Sequence, residues 1–520
     1  MTTQGQAVDR HLLHVGCRPL CIEDLWALAE GRAQAALDPD PAYRARLEAG
    51  VAAVQQALSS GQMIYGVSTG VGASLENVIP DALQQTLPLN LLRFHGCGTG
   101  RILEETEAAA VVAARLVSLA RGSSGVRLRL LERLCELLNL RLLPRIPAEG
   151  SVGASGDLTP LSYLAAILVG EREATLRGAV LPAAEALARV GLAPLALAPK
   201  ESLALMNGTS VMTALGGLAF MRALRLARWS AALTAVVCDV TRGNPAHFDA
   251  RIFDLKPHPG SRRCASWIRD DLSRAPGERT ASPARLQDRY SLRCAPQVIG
   301  VLLDALDFSR SLIETELNGA NDNPLIDLET GDVLHGGNFY GGHVCFALDG
   351  LKGAVAGVGD LLDRQLCLLC DPTTSGGLPA NLVAASGPER VTHHGFKAMQ
   401  ITASALAAEA LKLTMPAGAF SRSTESHNQD KVSMGTIAAR DCLRVVELTE
   451  TVASIVTLAA CQGVDLRNGE AGALRSRGLH DAVRKAVPPV FADRRQDLDI
   501  ARVLALHAAG DLLGRDLDVR

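Results

Sequence analysis

Apolar residues along most of this chain recur at spacings of three and four, the period of an α-helix, and few stretches alternate polar with apolar residues. The pattern is clearest over residues 297–316. One stripe there contains Val298, Val301, Leu302, Ala305, Phe308 and Leu312. It predicts a long helix with a buried face. The stretches 350–370 and 395–413, rich in alanine and leucine, predict two more helices, so we expect most of the chain to be helical.

Length and charge limit the classes of protein that this chain can belong to. At 520 residues with 48% hydrophobic content, it is longer than one core requires, which indicates two or more packed units. The net charge is −3 and no stripe of lysine or arginine is present, so we expect no nucleic-acid partner. The most apolar internal stretches, 212–221 and 231–240, are shorter than the roughly 20 residues of a membrane span. We therefore predict no membrane segment, and the first residues do not form a secretory signal.

The twelve cysteines lack the paired spacing of a disulfide framework or a zinc site. A reducing compartment fits this distribution, so we expect a cytoplasmic protein. The one CxxC, Cys367 to Cys370, lies in an apolar helical pattern and is interpreted as packed thiols. His258, His393 and His394 lack acidic partners at metal-site spacing, and no metal is expected.

The sharpest local motif is GSVGASGDLTPL, residues 150–161, which lies before a helix predicted to start near Thr159. Its three glycines permit backbone geometries that other residues do not adopt. If the amide nitrogen of Gly156 attacked the carbonyl carbon of Ala154 and water were lost, a five-membered ring would form. Loss of water from Ser155 would then leave an exocyclic methylidene, a strong electrophile. An isolated Ala-Ser-Gly is usually an ordinary turn, so the other motifs decide its meaning.

Six further motifs accompany this one. They are YGVSTGVG, LALMNGTS, QDRYSLRCAPQ, NDNPL, HGGNF and HNQDKVSMG. With them, the chain resembles the histidine, phenylalanine and tyrosine ammonia-lyases from about residue 65 to residue 461. The resemblance implies the cofactor 4-methylidene-imidazole-5-one (MIO), formed autocatalytically from Ala154-Ser155-Gly156, without a metal.

The resemblance also implies a fold and an assembly. The fold is the all-α, aspartase/fumarase-like one, with a smaller N-terminal unit and a long central helical bundle. In this chain we expect an N-terminal unit over residues 1–210, the bundle over 211–475 and peripheral C-terminal helices over 476–520. The assembly implied is a homotetramer whose active sites combine residues from more than one subunit, and the partner is a small aromatic amino acid.

The same resemblance implies roles for individual residues. Tyr65 is the base that removes the β-proton, and the pKa of its phenol would have to be lowered from about 10. Arg293 would hold the substrate carboxylate through its two-pronged guanidinium, with Tyr290 on the same helical face near the amine. Asn207 and Gln287 would bond the cofactor oxygen or the carboxylate region.

Phe339 in HGGNF would line the cofactor pocket, and Asn338 is a weaker candidate there. Two positions bear on substrate choice. Gln429 stands where histidine lyases carry a glutamate, which argues against histidine as the substrate. Phe94 fits a phenylalanine pocket, whereas His95 offers a partner for a para-hydroxyl. We therefore expect L-tyrosine to be converted to p-coumarate, with L-phenylalanine to cinnamate as a second activity.

Several alternatives stay open from the sequence. A phenylalanine lyase, a histidine lyase or an aminomutase with the same cofactor would use similar residues. A catalytically dead scaffold is less consistent with retention of the tripeptide, Tyr65, Tyr290 and Arg293 together. A metal hydrolase is disfavoured because the sequence has no HExxH motif and no paired-carboxylate cluster.

Overall fold

The computed structural model describes residues 11–273, 285–467 and 477–513. Most of these residues are helical. The helices are α1 Ile22–Ala29, α2 Pro41–Ser59, α3 Leu87–Phe94, α4 Glu105–Leu119, α5 Leu128–Leu140, α6 Leu158–Leu168, α7 Ala183–Arg189, α8 Glu201–Met206, α9 Ser210–Val240, α10 Ala250–Asp254, α11 Pro259–Leu272, α12 Tyr290–Arg293, α13 Ala295–Leu317, α14 Gly342–Cys370, α15 Lys397–Lys412, α16 Gly435–Leu466, α17 Arg477–Ala486 and α18 Asp497–Ala509. The all-α expectation is confirmed.

Short strands and six 3-10 helices accompany these α-helices in the described residues. The strands are β1 His11–Val15, β2 Ala33–Leu37, β3 Thr99–Ile102, β4 Leu142–Pro144, β5 Pro147–Glu149, β6 Glu173–Leu176, β7 Ala179–Pro182, β8 Leu325–Ile326 and β9 Val333–Leu334. β1 and β2 pair in parallel, and β4, β6 and β7 form an antiparallel sheet in that order. β3 pairs with β5 and β8 with β9, both antiparallel.

The described residues form two compact units, each assembled from separate segments of the sequence. The first unit contains the chain up to Met221, Ser309–Asp349 and Pro416–Arg440. The second contains Arg222–Phe308, Gly350–Met415 and the chain from Asp441 onward. The three continuous segments expected from the sequence stay a prediction.

Helix α4 forms part of the core of the first unit. Twelve of its fifteen residues are buried, which its run of alanine and valine allows. The helix starts at a capping box, in which the backbone amide of Glu104 donates to Glu107 Oε2 at 2.8 Å. In the same unit, β5 leads into the Ala-Ser-Gly loop, and α6 follows that loop.

A buried tryptophan anchors the C-terminal helix of the second unit. The indole nitrogen of Trp229 donates to Thr457 Oγ1 at 3.1 Å, and its ring stacks on His507 of α18 with centroids 4.2 Å apart. Burial, followed by the charges of Arg225 and Arg222, lowers the pKa of His507 to about 3. His507 is therefore a neutral ring that packs against Trp229.

The predicted helices over 297–316, 350–370 and 395–413 are confirmed as α13, α14 and α15. Helix α14 starts eight residues earlier than predicted, at Gly342. On α13 the predicted buried face is wrong in part: Leu302 is buried, but Val301 and Phe308 are 59% and 54% exposed in the chain. Apolar residues occupy more than one side of this helix, so the periodicity could not indicate which side faces the chain's own core.

Helix α9 has 31 residues and contains both apolar stretches that the sequence treats separately. Among the described residues it is the one helix long and apolar enough to cross a membrane by length and composition. However, 83% of its most apolar window is buried inside the protein, as in the core helix of a soluble protein.

All twelve cysteines are free thiols. In the CxxC pair on α14, Cys370 is buried, and burial raises the pKa of its thiol to about 12. Cys367 is exposed. The expectation of packed thiols is therefore confirmed for Cys370 and wrong for Cys367, which lies on the outer side of the same helix.

Candidate active site

The Ala-Ser-Gly loop follows β5 and leads into α6, which starts at Leu158. Gly153 and Gly156 have positive φ angles of 68° and 72°. A Cβ at Gly156 would lie 2.0 Å from the carbonyl oxygen of Gly208, so the space for any side chain is absent. Glycine is therefore required at position 156 both by its backbone conformation and by this close approach.

Two hydrogen-bond donors converge on the carbonyl oxygen of Ser155. Asn207 Nδ2 donates to it at 3.0 Å and the backbone amide of Gly208 at 3.2 Å. In the ring closure expected from the sequence, the carbonyl of Ala154 is attacked, so the Ser155 carbonyl oxygen remains as the ring oxygen. Donors placed there would stabilise negative charge on that oxygen. The residues around the tripeptide therefore fit the cofactor.

The hydroxyl of Ser155 has its own partner. Gln429 Nε2 donates to Ser155 Oγ at 3.1 Å. Gln429 lies in a tight turn in which Thr424 and Gln429 exchange backbone hydrogen bonds of 3.0 and 3.2 Å. Gln429 thus contacts the hydroxyl that cofactor formation would remove, a contact that the sequence did not predict.

Asp157, the residue after the tripeptide, is fully buried. Its Oδ2 accepts from the backbone amides of Val211 and Met212 at 3.0 and 2.9 Å, in the first turn of α9. Its Oδ1 accepts from Ser151 Oγ at 2.9 Å and from Thr436 Oγ1. Burial raises the pKa of Asp157, and these hydrogen bonds oppose that effect. Asp157 therefore ties the loop to the starts of α9 and α16.

Tyr65 lies in the glycine-rich loop after α2. Its phenol oxygen accepts a hydrogen bond of 2.8 Å from the backbone amide of Gly72. Burial raises the pKa of Tyr65, the Gly72 bond lowers it, and the charge of Glu425 raises it further. The role of base implied for Tyr65 calls for surroundings that lower the pKa of its phenol. In the single chain this pKa is instead raised, because the effect of burial is larger than that of the one hydrogen bond from Gly72.

Glu425 was not singled out in the sequence, although it lies beside the HNQDKVSMG motif. Its carboxylate accepts from the backbone amide of Ala73 at 2.9 and 3.2 Å. A Cβ at Gly72 would lie 2.5 Å from Glu425 Oε2, so the two loops are in close contact. A glutamate at an exposed turn carries no periodicity signal, and only the folded structure brings it next to the Tyr65 loop.

His95 directly follows α3. Its Nδ1 lies 2.8 Å from the carbonyl oxygen of Leu91. A carbonyl only accepts, so Nδ1 carries the proton and Nε2 has a free lone pair. Burial lowers the pKa of His95 and Arg172 lowers it further, against the raising effect of the Leu91 bond. Phe94 lies beside it, with ring centroids 4.0 Å apart, and is 58% exposed.

Phe339, of the HGGNF motif, is partly buried in the first unit. Asn338 is exposed and donates from Nδ2 to the carbonyl of Ala320 at 3.2 Å. This bond holds the segment against the chain before the NDNPL motif. The roles of Phe339 and Asn338 in the site stay predictions.

Three of the predicted residues belong to the second unit: Gln287, Tyr290 and Arg293. Tyr290 is 70% exposed, and the Arg293 guanidinium carbon lies 4.7 Å from the centre of its ring. The two share one face of α12, as predicted from their spacing. Arg293 Nε also donates to the carbonyl of Asp288 at 3.0 Å. The first unit carries the other predicted residues, of which Asn207 and Gln429 bond Ser155.

Candidate metal ligands do not cluster in the part of the chain that is described. No group of three or more histidine, cysteine, aspartate or glutamate side chains there could hold a metal ion.

A family model described as aromatic amino acid lyase matches residues 20–485. The chain belongs to the aromatic amino acid lyase family. It is therefore a carbon-nitrogen lyase, and members of this family generally carry MIO. Family members act on small amino acids and are typically tetrameric.

Relatives of this aromatic amino acid lyase have different names. A protein of Koribacter versatilis named histidine ammonia-lyase is 38% identical over 96% of this chain and 98% of its own length. A protein of Aromatoleum aromaticum with the same name is 40% identical over 91% of this chain and 89% of its own length. The crystal structure of tyrosine aminomutase from Streptomyces globisporus superposes with a TM-score of 0.90 at 35% identity, covering 98% of this chain and 100% of that one.

Proposed function

We propose that this aromatic amino acid lyase eliminates ammonia from L-tyrosine to give p-coumarate, and from L-phenylalanine to give cinnamate as a second activity. The observation that carries the choice of tyrosine is the state of His95. With its Nδ1 proton committed to Leu91 and its ring neutral, Nε2 is an acceptor for a phenolic hydroxyl.

The electrophile is MIO, built from Ala154, Ser155 and Gly156. When formed, it supplies a methylidene carbon that withdraws electrons from the substrate. Asn207 Nδ2 and the amide of Gly208 hold the oxygen of Ser155, and Gln429 holds its hydroxyl before that hydroxyl is lost. The donors are fixed in the fold, so they need no reorganisation during the reaction.

Tyr65 is the base for the β-proton, which it accepts at its phenol oxygen. The Gly72 amide donates to that oxygen and stabilises its negative form. Arg293 binds the substrate carboxylate through its guanidinium, and Tyr290 contacts the amine side. Gln287 and Phe339 line the same site in our proposal, and Phe94 contacts the aromatic ring.

We further propose a cytoplasmic homotetramer whose active sites are shared between subunits. Free thiols throughout the chain suit a reducing compartment. Tyr290 and Phe94, both assigned to the site, are 70% and 58% exposed in the single chain. Large exposed aromatic residues of this kind are typical of surfaces that another subunit covers.

An ultraviolet assay of the purified enzyme tests the choice of substrate. Tyrosine, phenylalanine and histidine are supplied in parallel, and the conjugated acrylate from each is followed. We expect coumarate to form fastest, and His95→Phe to reverse the preference in favour of cinnamate. His14→Phe, at a surface histidine on β1, is the matched control and leaves the preference unchanged. An unchanged preference in His95→Phe would contradict the role of His95.

Histidine is the second candidate substrate, favoured by the names of the curated relatives. An imidazole N–H could donate to His95 Nε2 as a phenol does. Gln429 counts against it, because the position that histidine lyases fill with glutamate here holds an amide bonded to Ser155 Oγ. Urocanate as the dominant product would make histidine the substrate. A β-amino acid among the products would instead indicate an aminomutase, the activity named for the Streptomyces globisporus structure.

A further inference from the structure

Arg172, four residues after α6, contacts the helix that leads to the proposed substrate-reading residues. Its Nη2 donates to the carbonyl oxygen of Leu92 at 2.5 Å, and its Nη1 donates to Ser162 Oγ at 3.0 Å. Its guanidinium carbon lies 4.2 Å from the centre of the Tyr163 ring. The guanidinium is therefore held on three sides.

The carbonyl that Arg172 binds lies in the last turn of α3. Such carbonyls lack partners within the helix, and a cation there is favourable. The neighbouring carbonyl, of Leu91, binds His95 Nδ1 at 2.8 Å. The two consecutive carbonyls thus have two different partners, one that orients the histidine and one that anchors the helix end.

Three further observations indicate a built contact. Arg172 has a φ of 61°, a left-handed conformation that non-glycine residues rarely adopt. A Cβ at Gly96 would lie 2.1 Å from Arg172 Nη2, so the backbone after His95 packs directly on the guanidinium. The adjacent Glu171 binds Arg93 of α3 at 2.5 Å, which ties the same helix end to the same turn.

We propose that Arg172 is a positioning residue for substrate selection, because it fixes the end of α3 and thereby the direction of His95 Nε2. This inference rests on the proposed function, in which His95 reads the para-hydroxyl. Arg172 itself does not contact the substrate. A displacement of about 1 Å at the acceptor is enough to weaken a hydrogen bond to a bound hydroxyl, whereas phenylalanine makes no such bond.

Arg172→Met removes the guanidinium, and Gly96→Ala keeps it but displaces it from Leu92. Both are expected to lower the ratio of kcat/KM for tyrosine over phenylalanine by about tenfold. The intact mass, which is lower by two waters when the cofactor has formed, is expected to match the wild type. Arg177→Met is the matched control. It removes an exposed arginine with a similar φ of 51° from the turn between β6 and β7, and it leaves the ratio unchanged.

The double variant Arg172→Met/His95→Phe separates the possible outcomes. If Arg172 acts through His95, then Arg172→Met causes no further change in the ratio there. A wild-type ratio in Arg172→Met and Gly96→Ala, while His95→Phe lowers it, overturns the inference and leaves the proposed function intact. If Arg172→Met lowers the tyrosine-to-phenylalanine ratio of kcat/KM equally with His95 present and in the His95→Phe variant, the inference is also overturned. A wild-type ratio in His95→Phe overturns the proposed function itself. If Arg172→Met does not fold by circular dichroism, Gly96→Ala decides.

Discussion

Ser155 carries two oxygens with different neighbours, and this difference matters at the scale of single residues. Its carbonyl accepts from Asn207 Nδ2 and the Gly208 amide, whereas its hydroxyl faces Gln429 Nε2. One oxygen is kept by the proposed ring closure and the other leaves as water. The surroundings of the residue are therefore arranged for both the precursor and the product.

We expect Ser155→Ala to abolish activity while leaving the fold intact, since alanine cannot form the methylidene. The hydrogen bond lost from Gln429 is worth about 1 kcal/mol, too little to unfold the chain. Turnover and far-ultraviolet circular dichroism measure the two effects. Ser59→Ala, at an exposed serine near the end of α2, should behave as wild type. Wild-type turnover in Ser155→Ala would refute the cofactor proposal.

The raised pKa of Tyr65 predicts how activity depends on pH. The phenolate is the form that accepts the proton, so kcat/KM should rise with pH until the pKa of Tyr65 is passed. Glu425→Gln removes a charge that raises this pKa, so the acid limb of the profile should move to lower pH. Glu76→Gln, an exposed carboxylate in the same loop, is the control. A limb that stays in place in Glu425→Gln would exclude this electrostatic effect.

At the scale of elements, the site depends on a close crossing of two backbone segments. Gly156 and Gly208 form a parallel bridge, and the amide of Asp157 donates to the Gly208 carbonyl at 2.7 Å. The Asp157 carboxylate then binds the first turn of α9. The start of α9, a helix of 31 residues, is thereby fixed to the Ala-Ser-Gly loop.

Gly156→Ala tests this crossing. Its Cβ would meet the Gly208 carbonyl at 2.0 Å, so we expect the segments to separate and the intact mass to stay higher by two waters. Gly178→Ala is matched for backbone strain, with a φ of 84°, but its Cβ would have no atom within 4 Å. It should keep the mature mass. Full cofactor formation in Gly156→Ala would show that the close approach is dispensable.

The elements were more predictable than their contacts. Periodicity located α13 almost to its ends, and the glycines of residues 150–156 marked the reactive loop. Periodicity could not show that Val301 and Phe308 are exposed, because a helix with apolar residues on two sides has no single face that must be buried. Glu425 and Arg172 were missed for a different reason. Each contacts backbone groups distant in sequence, and such contacts leave no local motif.

At the scale of the whole molecule, the exposed aromatic residues require an explanation beyond the single chain. Tyr290 and Phe308, in the second unit, are 70% and 54% exposed, and Phe94 in the first is 58% exposed. Burial of aromatic side chains of this size against another subunit would stabilise the assembly. The shared-site homotetramer that we propose provides such a partner.

Mixing of subunits tests the shared site. Tyr65→Phe and Arg293→Ala are each expected to be inactive, with kcat lowered about 10²-fold or more. If each site takes the tyrosine and the arginine from different chains, equal co-expression should restore about a quarter of the wild-type activity, because a quarter of the sites combine two intact residues. Light scattering checks the tetramer. Activity that stays absent in mixed tetramers would mean that one chain supplies both residues.

The contacts of the Ala-Ser-Gly loop also bear on the order of events during synthesis of the chain. Gln429 and Thr436, which bind Ser155 and Asp157, are translated 274 and 279 positions after them. At ribosomal speeds of about 5–20 residues per second, the loop waits tens of seconds for these partners. In the cofactor proposal above, a ring closure that depends on these contacts takes place only after residues 429–436 have been synthesised and have docked on the loop.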